Sequence, residues 1–269
     1  MKSSYVLGLI SASMVMLMMV GCGPKDEKTA DKPSQNNSLL SQQELSGLGT
    51  KVLKDTYKKY DNKRACWVTK GPDKANYCMK VASVESVMTD DGEKVYVLAT
   101  GQNVDGAKHE PVTGMVGMFA VKPENGNYTV IAQTQDMEVV NDHAPSGTFI
   151  QLGKNIYGWQ IEKNTVDQGQ NIAGVTFYGV QDNQVKALGA VQTVYDDAVA
   201  EPDAKVHRTI RLEGAVTVDK TDKDATHYPL TVTVSGEKDG KKLSPKKYAI
   251  QFSAQKGQYV PPEDYPITD

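Results

Sequence analysis

The side chains best suited to acid–base or metal chemistry in this sequence are histidines, and they are isolated from one another. The four are His109, His143, His207 and His227. A zinc hydrolase motif needs two histidines one helical turn apart with a glutamate beside the first, and no such pair occurs. The G-x-S-x-G turn that presents a nucleophilic serine is also absent. The sequence therefore predicts no catalytic residue, no metal site and no cofactor.

A stretch of carboxylates offers a second candidate for cation binding. Asp219, Asp222 and Asp224 lie close together in the sequence. Their spacing departs from that of a calcium-binding loop, and Lys220 and Lys223 lie among them and would repel a cation. We interpret this stretch as the solvated tip of a hairpin.

Cys22 is a candidate for covalent modification, because it follows a segment with the features of a secretory signal. An apolar run over residues 6–20 follows Lys2 and precedes a polar stretch, as in a secretory signal, and it is shorter than the roughly 20 residues of a membrane span. The sequence Met19-Val20-Gly21-Cys22 resembles the lipobox of bacterial lipoproteins, in which the cysteine receives a diacylglyceryl group. The resemblance implies that residues 1–21 are removed as a signal peptide and that lipid on Cys22 anchors the protein. An ordinary secretory signal or an uncleaved anchor is the alternative.

The residues after Cys22 bear on the location of the protein. Gly23 stands where an aspartate resembles an inner-membrane retention signal, so the resemblance implies the outer membrane if the source is Gram-negative. Residues 22–38, the lipidated cysteine and a polar stretch, cannot bury enough apolar surface to order themselves. They are predicted to form a flexible tether for one β-rich domain over residues 39–269.

The two remaining cysteines are expected to form a disulfide. Once Cys22 is assigned to lipid, Cys66 and Cys78 are an even pair in an oxidising compartment, where a disulfide is the default. Their spacing suits neither C-x-x-C redox chemistry nor the usual ligands of zinc. The sequence therefore favours a structural disulfide over a reactive pair.

Charge restricts the choice of partners. The formal net charge is -3, and no run of Lys and Arg interleaved with aromatic residues appears. A nucleic-acid-binding surface needs such a basic footprint, so nucleic acid is excluded as a partner. The expected partners are the membrane, through the lipid, and an envelope protein or the cell wall. Nothing in the sequence indicates an oligomeric state.

One amphipathic helix is predicted over residues 41–60. Ser41 and Glu44 form an S-x-x-E capping box, and Leu40 and Leu45 are placed for a hydrophobic staple around it. Apolar residues then recur at helical spacing up to Tyr60. We expect the apolar side of this helix to pack against the following sheet.

After the helix the pattern changes to short alternating runs rich in Val, Ile, Thr and Tyr, which predict antiparallel strands. Four turn sequences join several of these strands as hairpins. The turns are Asp91-Gly92, Asn125-Gly126-Asn127, Asp182-Asn183 and Asp239-Gly240. The predicted strands lie near 65–69, 77–88, 94–101, 114–121, 128–134, 148–152, 156–162, 172–180, 185–193, 206–218, 229–235 and 247–253.

The fold class is therefore mainly β, a meander of about a dozen strands that closes as a sandwich or barrel behind one helix. The sequence of the hairpin that contains residues 117–132 is weakly similar to that of the hairpin that contains residues 174–189. Such an internal repeat leaves a small β-propeller as the alternative.

Aromatic residues between glycines suggest a ligand-facing wall. Tyr157 and Trp159 alternate with Gly158 and so share one face of a strand, and Phe177 and Tyr178 lie on the next predicted strand. Glycine in a strand marks a bulge, a bend or a close approach of backbone. These four aromatic residues are the predicted ligand-binding set, with packing across strands as the alternative.

Three classes of function follow from these observations. The first is a membrane-anchored envelope lipoprotein with a β-rich binding or structural domain and no enzymatic activity. The second is a periplasmic small-molecule binder that uses the wall of glycines and aromatic rings, and the third is a periplasmic hydrolase. The strand segments 150–153 and 157–159 resemble those of proteobacterial lipoproteins of uncharacterised activity, and that resemblance implies no site.

Overall fold

A computed structural model of the protein describes residues 39–105, 113–140, 145–167, 169–197 and 210–267. Residues 1–38, which include Cys22 and the predicted tether, lie outside the described residues. Three of the histidines also lie outside them: His109, His143 and His207. All of the described residues lie within the predicted β-rich domain, residues 39–269.

The helix α1 extends over Gln42–Tyr57 and begins as the sequence predicts. Ser41 is its N-cap, and its side chain and backbone exchange hydrogen bonds with Glu44 in a complete capping box. Leu45 is buried, and Leu40 packs against the same cluster, as expected for a hydrophobic staple. The helix ends three residues earlier than predicted.

Fourteen strands follow the helix in the described residues, and all pairings are antiparallel. Each of the twelve predicted strands is present, and residues 206–209 of the strand predicted over 206–218 lie outside the described residues. The sequence missed two short strands at the ends of the domain. The strands are β1 (Tyr60–Asp61), β2 (Cys66–Lys70), β3 (Asn76–Thr89), β4 (Gly92–Asn103), β5 (Thr113–Glu124), β6 (Asn127–Val140), β7 (Gly147–Gln151), β8 (Tyr157–Asp167), β9 (Gln170–Gln181), β10 (Gln184–Asp196), β11 (Ile210–Val218), β12 (Leu230–Lys238), β13 (Lys241–Ser253) and β14 (Gln258–Val260).

The predicted turns form the tight hairpins β3–β4, β5–β6, β9–β10 and β12–β13. Asp182 and Asn183 have φ values of 51° and 57°, and Asp239 and Gly240 have 52° and 74°. Positive φ at both central residues matches the twist of the flanking strands, which is why Asn, Asp and Gly occupy these turns. The hairpin predictions are confirmed.

The strands form two sheets in simple sequence order. The first contains β1 to β6, and the second contains β7 to β14. Within the described residues neither sheet closes on itself, so the fold is a sandwich and not a barrel. The propeller alternative is wrong, because the sheets have six and eight strands and not the four of a propeller blade.

Three hydrophobic layers hold this arrangement together. Helix α1 covers one face of the first sheet, where Leu53 and Phe119 are fully buried. The other face of that sheet meets strands β7 to β10 of the second sheet, with Leu98 and Trp159 in the layer between them. The far side of the second sheet encloses a third layer that includes Phe177. Among the described residues, no helix combines the length and hydropathy that crossing a membrane requires.

Candidate functional site

The second sheet contains a pocket of about 470 Å³ at the end where β9, β11 and β13 begin. This volume lies within the range of roughly 300–1,000 Å³ that is usual for ligand pockets. Most of the lining side chains are apolar. The lining residues are Gln170, Ile172, Gln192, Tyr195, Ile210, Leu212, Lys238, Leu243 and Pro266.

A β-bulge builds the apolar wall of this pocket. The register between β9 and β10 shifts between Gln192 and Val194, so one extra residue of β10 is left without a partner. A bulge bends its strand and changes which side chains face the core. Beyond the bulge, Tyr195 pairs with Leu212 on β11 and both pack on the third hydrophobic layer. Leu212 is 6% exposed, so the deep part of the pocket is continuous with the core.

The C-terminal segment forms another wall. Tyr265 donates a hydrogen bond from its hydroxyl to the carbonyl oxygen of Gln192, and burial raises the pKa of Tyr265 to about 12. The Asp264 carboxylate accepts from Lys246 Nζ at 2.8 Å, and Ile267 is buried. These contacts hold Pro266 against the pocket.

One lysine lines the pocket, and a second lies opposite it on the neighbouring strand. Lys238 lines it, and Lys241 is directly opposite Lys238 across the Asp239-Gly240 turn. Directly opposed residues of an antiparallel pair project to the same face, so the side chains of Lys238 and Lys241 both leave the hairpin on the face that contains the pocket. Within the described part of the chain, neither lysine makes an ion pair. The site therefore combines an apolar interior with a cationic rim.

Comparison with known proteins gives no relative. No family model, no curated protein and no solved structure matches this chain.

The predicted aromatic wall is divided between two buried layers. Tyr157, Trp159 and Tyr178 face the first sheet, and the Trp159 ring lies 5.6 Å from that of Tyr96. Phe177 faces the opposite side of its strand, 5.9 Å from the ring of Tyr259. Trp159 and Phe177 are fully buried, so neither ring is open to solvent. The geometry gives these rings a packing role, and a ligand role for them stays a prediction.

Glycine 158, between Tyr157 and Trp159, marks a close approach of backbone. A Cβ at this position would overlap the carbonyl oxygen of Tyr178 on β9. The sequence predicts that glycines within strands mark a close approach of backbone. At Gly158 the backbones of β8 and β9, two neighbouring strands of one sheet, approach each other in this way.

The predicted disulfide is present. Cys66 at the start of β2 is bonded to Cys78 on β3, with their Cα atoms 5.4 Å apart. Cys66 is fully buried. The bond joins two neighbouring strands of the first sheet, of which β2 is next to the edge strand β1, and it lies outside the candidate pocket.

Carboxylates and histidines do not form a metal site in the part of the chain that the structure describes. The predicted hairpin tip is held by its own hydrogen bonds, since Asp219 accepts from the backbone N–H of Thr221. Asp224 forms a 2.7 Å ion pair with Lys154, which lowers the pKa of that carboxyl.

His227 is the one histidine within the described residues, and its environment predicts a pH dependence. Its ring stacks on Phe252 with centroids 3.4 Å apart, and its Nε2 lies 2.9 Å from Nε2 of Gln181. Burial lowers the pKa of His227. The unfolded chain therefore binds a proton at a higher pH than the folded chain, so the free energy of unfolding falls as the pH drops below about 6.5.

We expect the substitution His227→Gln to remove this contribution. The difference in urea midpoint between pH 7.5 and pH 5.5 should be smaller in the variant than in the wild type. The effect is small because the imidazole is partly exposed. An unchanged difference would show that His227 is not a source of the pH dependence.

The residues of the pocket were not identified from the sequence, although one signal for them was present. The Asp239-Gly240 turn fixes Lys238 opposite Lys241, and this pairing can be read from a two-residue hairpin. Ile210 and Leu212 carried no such signal, because only the folded sheet brings them to Tyr195.

Proposed function

We propose that this protein is a lipoprotein anchored in a bacterial envelope, without enzymatic activity, whose β-rich domain is a binding module. The lipid on Cys22 holds it at the membrane, with the outer membrane as the favoured location. Its ligand site is the pocket between β10, β11, β13 and the C-terminal segment.

Support for the anchor comes from the lipobox at Met19-Val20-Gly21-Cys22. Several acyl chains on one cysteine hold a protein at a bilayer persistently, whereas a single chain binds only marginally. The polar stretch that follows, residues 23–38, has the composition of a flexible spacer.

The pocket is the observation that carries the binding role. It is a concave, mostly apolar site with a few polar groups, which is the usual form of a small-molecule site. This observation favours a small molecule as ligand over the second possibility, an envelope protein or the cell wall. No residue set among the described ones supports the hydrolase alternative.

Cys22→Ser tests the anchor. In cells fed an alkynyl palmitate analogue, we expect the wild-type protein to become labelled and the Cys22→Ser variant to remain unlabelled. The control is the double variant Cys66→Ala/Cys78→Ala, which should keep the label because Cys22 is intact. Label on Cys22→Ser, or none on the wild type, would contradict the proposal.

Ile210→Trp tests the pocket. An indole at this lining position should fill the cavity and exclude a ligand while its backbone bonds to Asp197 remain. Solvent extracts of the purified full-length protein, analysed by mass spectrometry, should contain a small molecule that is lost in this variant. The control Val130→Trp, at a site 44% exposed on the first sheet, should retain it. Identical extracts from the wild type and Ile210→Trp would refute the binding role.

A further inference from the structure

We infer that the pocket binds an anionic amphiphile, with an apolar chain inside the cavity and an acidic head group held at Lys238 and Lys241. This inference rests on the proposed binding function and adds the class of ligand.

The interior of the pocket suits an apolar chain. Ile172, Tyr195 and Ile210 are partly buried and line it, and Leu212 closes it toward the core. Leu243 remains 40% exposed at the pocket. Apolar surface left in contact with water favours a ligand that can cover it.

The arrangement of lysines on the β12–β13 hairpin indicates that the ligand is negatively charged. On the pocket face, Lys238 directly opposes Lys241, and like charges in this position destabilise a sheet. On the other face the next pair is Glu237 opposite Lys242, an opposite-charge pair that stabilises the sheet. The unfavourable pair is therefore confined to the face with the pocket, where an anion bound between the two ammonium groups would relieve it.

Three carboxylates next to residues that line the pocket already have partners. Asp196 pairs with Arg211 at 3.4 Å, and Asp264 pairs with Lys246. Asp197 accepts a hydrogen bond from the backbone N–H of Ile210 at 2.6 Å. Asp239 lies in the turn between Lys238 and Lys241, and it forms no ion pair with either lysine. Among the described residues the lysine pair therefore has no carboxylate partner, and the ligand's head group would supply one.

Carboxylate and phosphate head groups share the chemistry that two lysines recognise. A free fatty acid and a single-chain phospholipid are thus two sources of one class of ligand. A neutral alcohol of the same chain would fill the cavity but leave the lysines unpaired.

The test is photolabelling of the full-length protein in isolated membranes. The probes are diazirine analogues of hexadecanoic acid, of a monoacylglycerol phosphate and of hexadecanol, followed by peptide mapping. We expect at least one acidic probe to label peptides of the pocket about five-fold more than the alcohol. The variant Lys238→Gln/Lys241→Gln should reduce that labelling about ten-fold, since an exposed charge contact contributes up to about five-fold in affinity.

A matched control carries the same change in net charge. Lys242 and Lys247 lie on β13, as Lys241 does, but they face away from the pocket. The variant Lys242→Gln/Lys247→Gln should therefore keep labelling within about two-fold of the wild type. Ile210→Trp should abolish labelling of the pocket by every probe. Which acidic probe labels more strongly identifies the head group.

Two outcomes would overturn the inference. One is equal labelling by the alcohol and both acids with no effect of Lys238→Gln/Lys241→Gln, and the other is labelling by no acidic probe. In either case a molecule in the solvent extracts that is lost in Ile210→Trp would leave the binding function standing. If the solvent extracts also contained no such molecule, both the inferred class of ligand and the proposed binding function would be wrong.

Discussion

Replacement of Trp159 by alanine is expected to lower the free energy of unfolding by about 3–5 kcal/mol. Trp159 is fully buried between the two sheets, and its ring contacts that of Tyr96 on the first sheet. Loss of the indole removes apolar burial and leaves a cavity that a rigid sandwich cannot close. Urea unfolding followed by circular dichroism measures the change.

Val166→Ala is the control for this prediction. Val166 lies on the same strand but is 63% exposed, so its substitution should change the free energy of unfolding by less than about 0.5 kcal/mol. A loss below about 1 kcal/mol in Trp159→Ala would show that the sheets do not share a core at this point.

Removal of the disulfide has the second largest expected effect. The double variant Cys66→Ala/Cys78→Ala should lose about 2–4 kcal/mol, because the unfolded chain gains the entropy of an open loop. Alanine is preferred to serine because Cys66 is fully buried and a hydroxyl there would need a partner. Thermal and urea unfolding under oxidising conditions measure the difference.

Reduction of the wild type provides the internal control. Dithiothreitol should lower the stability of the wild type toward that of the double variant and leave the variant unchanged. If the reductant had no effect on a wild type shown by mass spectrometry to be reduced, the bond would not contribute to stability.

Local features explain why much of the fold could be predicted. The Asp182-Asn183 and Asp239-Gly240 turns require positive φ at two successive residues, a constraint within four or five residues of chain. The capping box at Ser41 and Glu44 is equally local. Strand β14 was missed because three residues after a turn carry too short a pattern to separate from a loop.

The candidate site could not be predicted from the sequence, because it depends on contacts between strands and not on local features. Phe177 and Tyr178 are neighbours in the sequence, yet they face different hydrophobic layers, so their types alone do not define one wall. The bulges of β10 between Ala187 and Gly189 and between Gln192 and Val194 shift the register by one residue. A shift of one residue exchanges the faces of a strand, and no short motif announces it.

The sequence by itself determined a mainly β domain behind one capped helix, its hairpins and its pair of bonded cysteines, and it predicts the lipid at Cys22. These follow from local backbone preferences and from the redox chemistry of the expected compartment. Only the tertiary structure decided that Trp159 joins two sheets and that Ile210, Leu212 and Tyr195 enclose a pocket beside Lys238. That outcome depends on register and bulges across strands far apart in the chain, and the energy of those contacts exists only once the sheets are assembled.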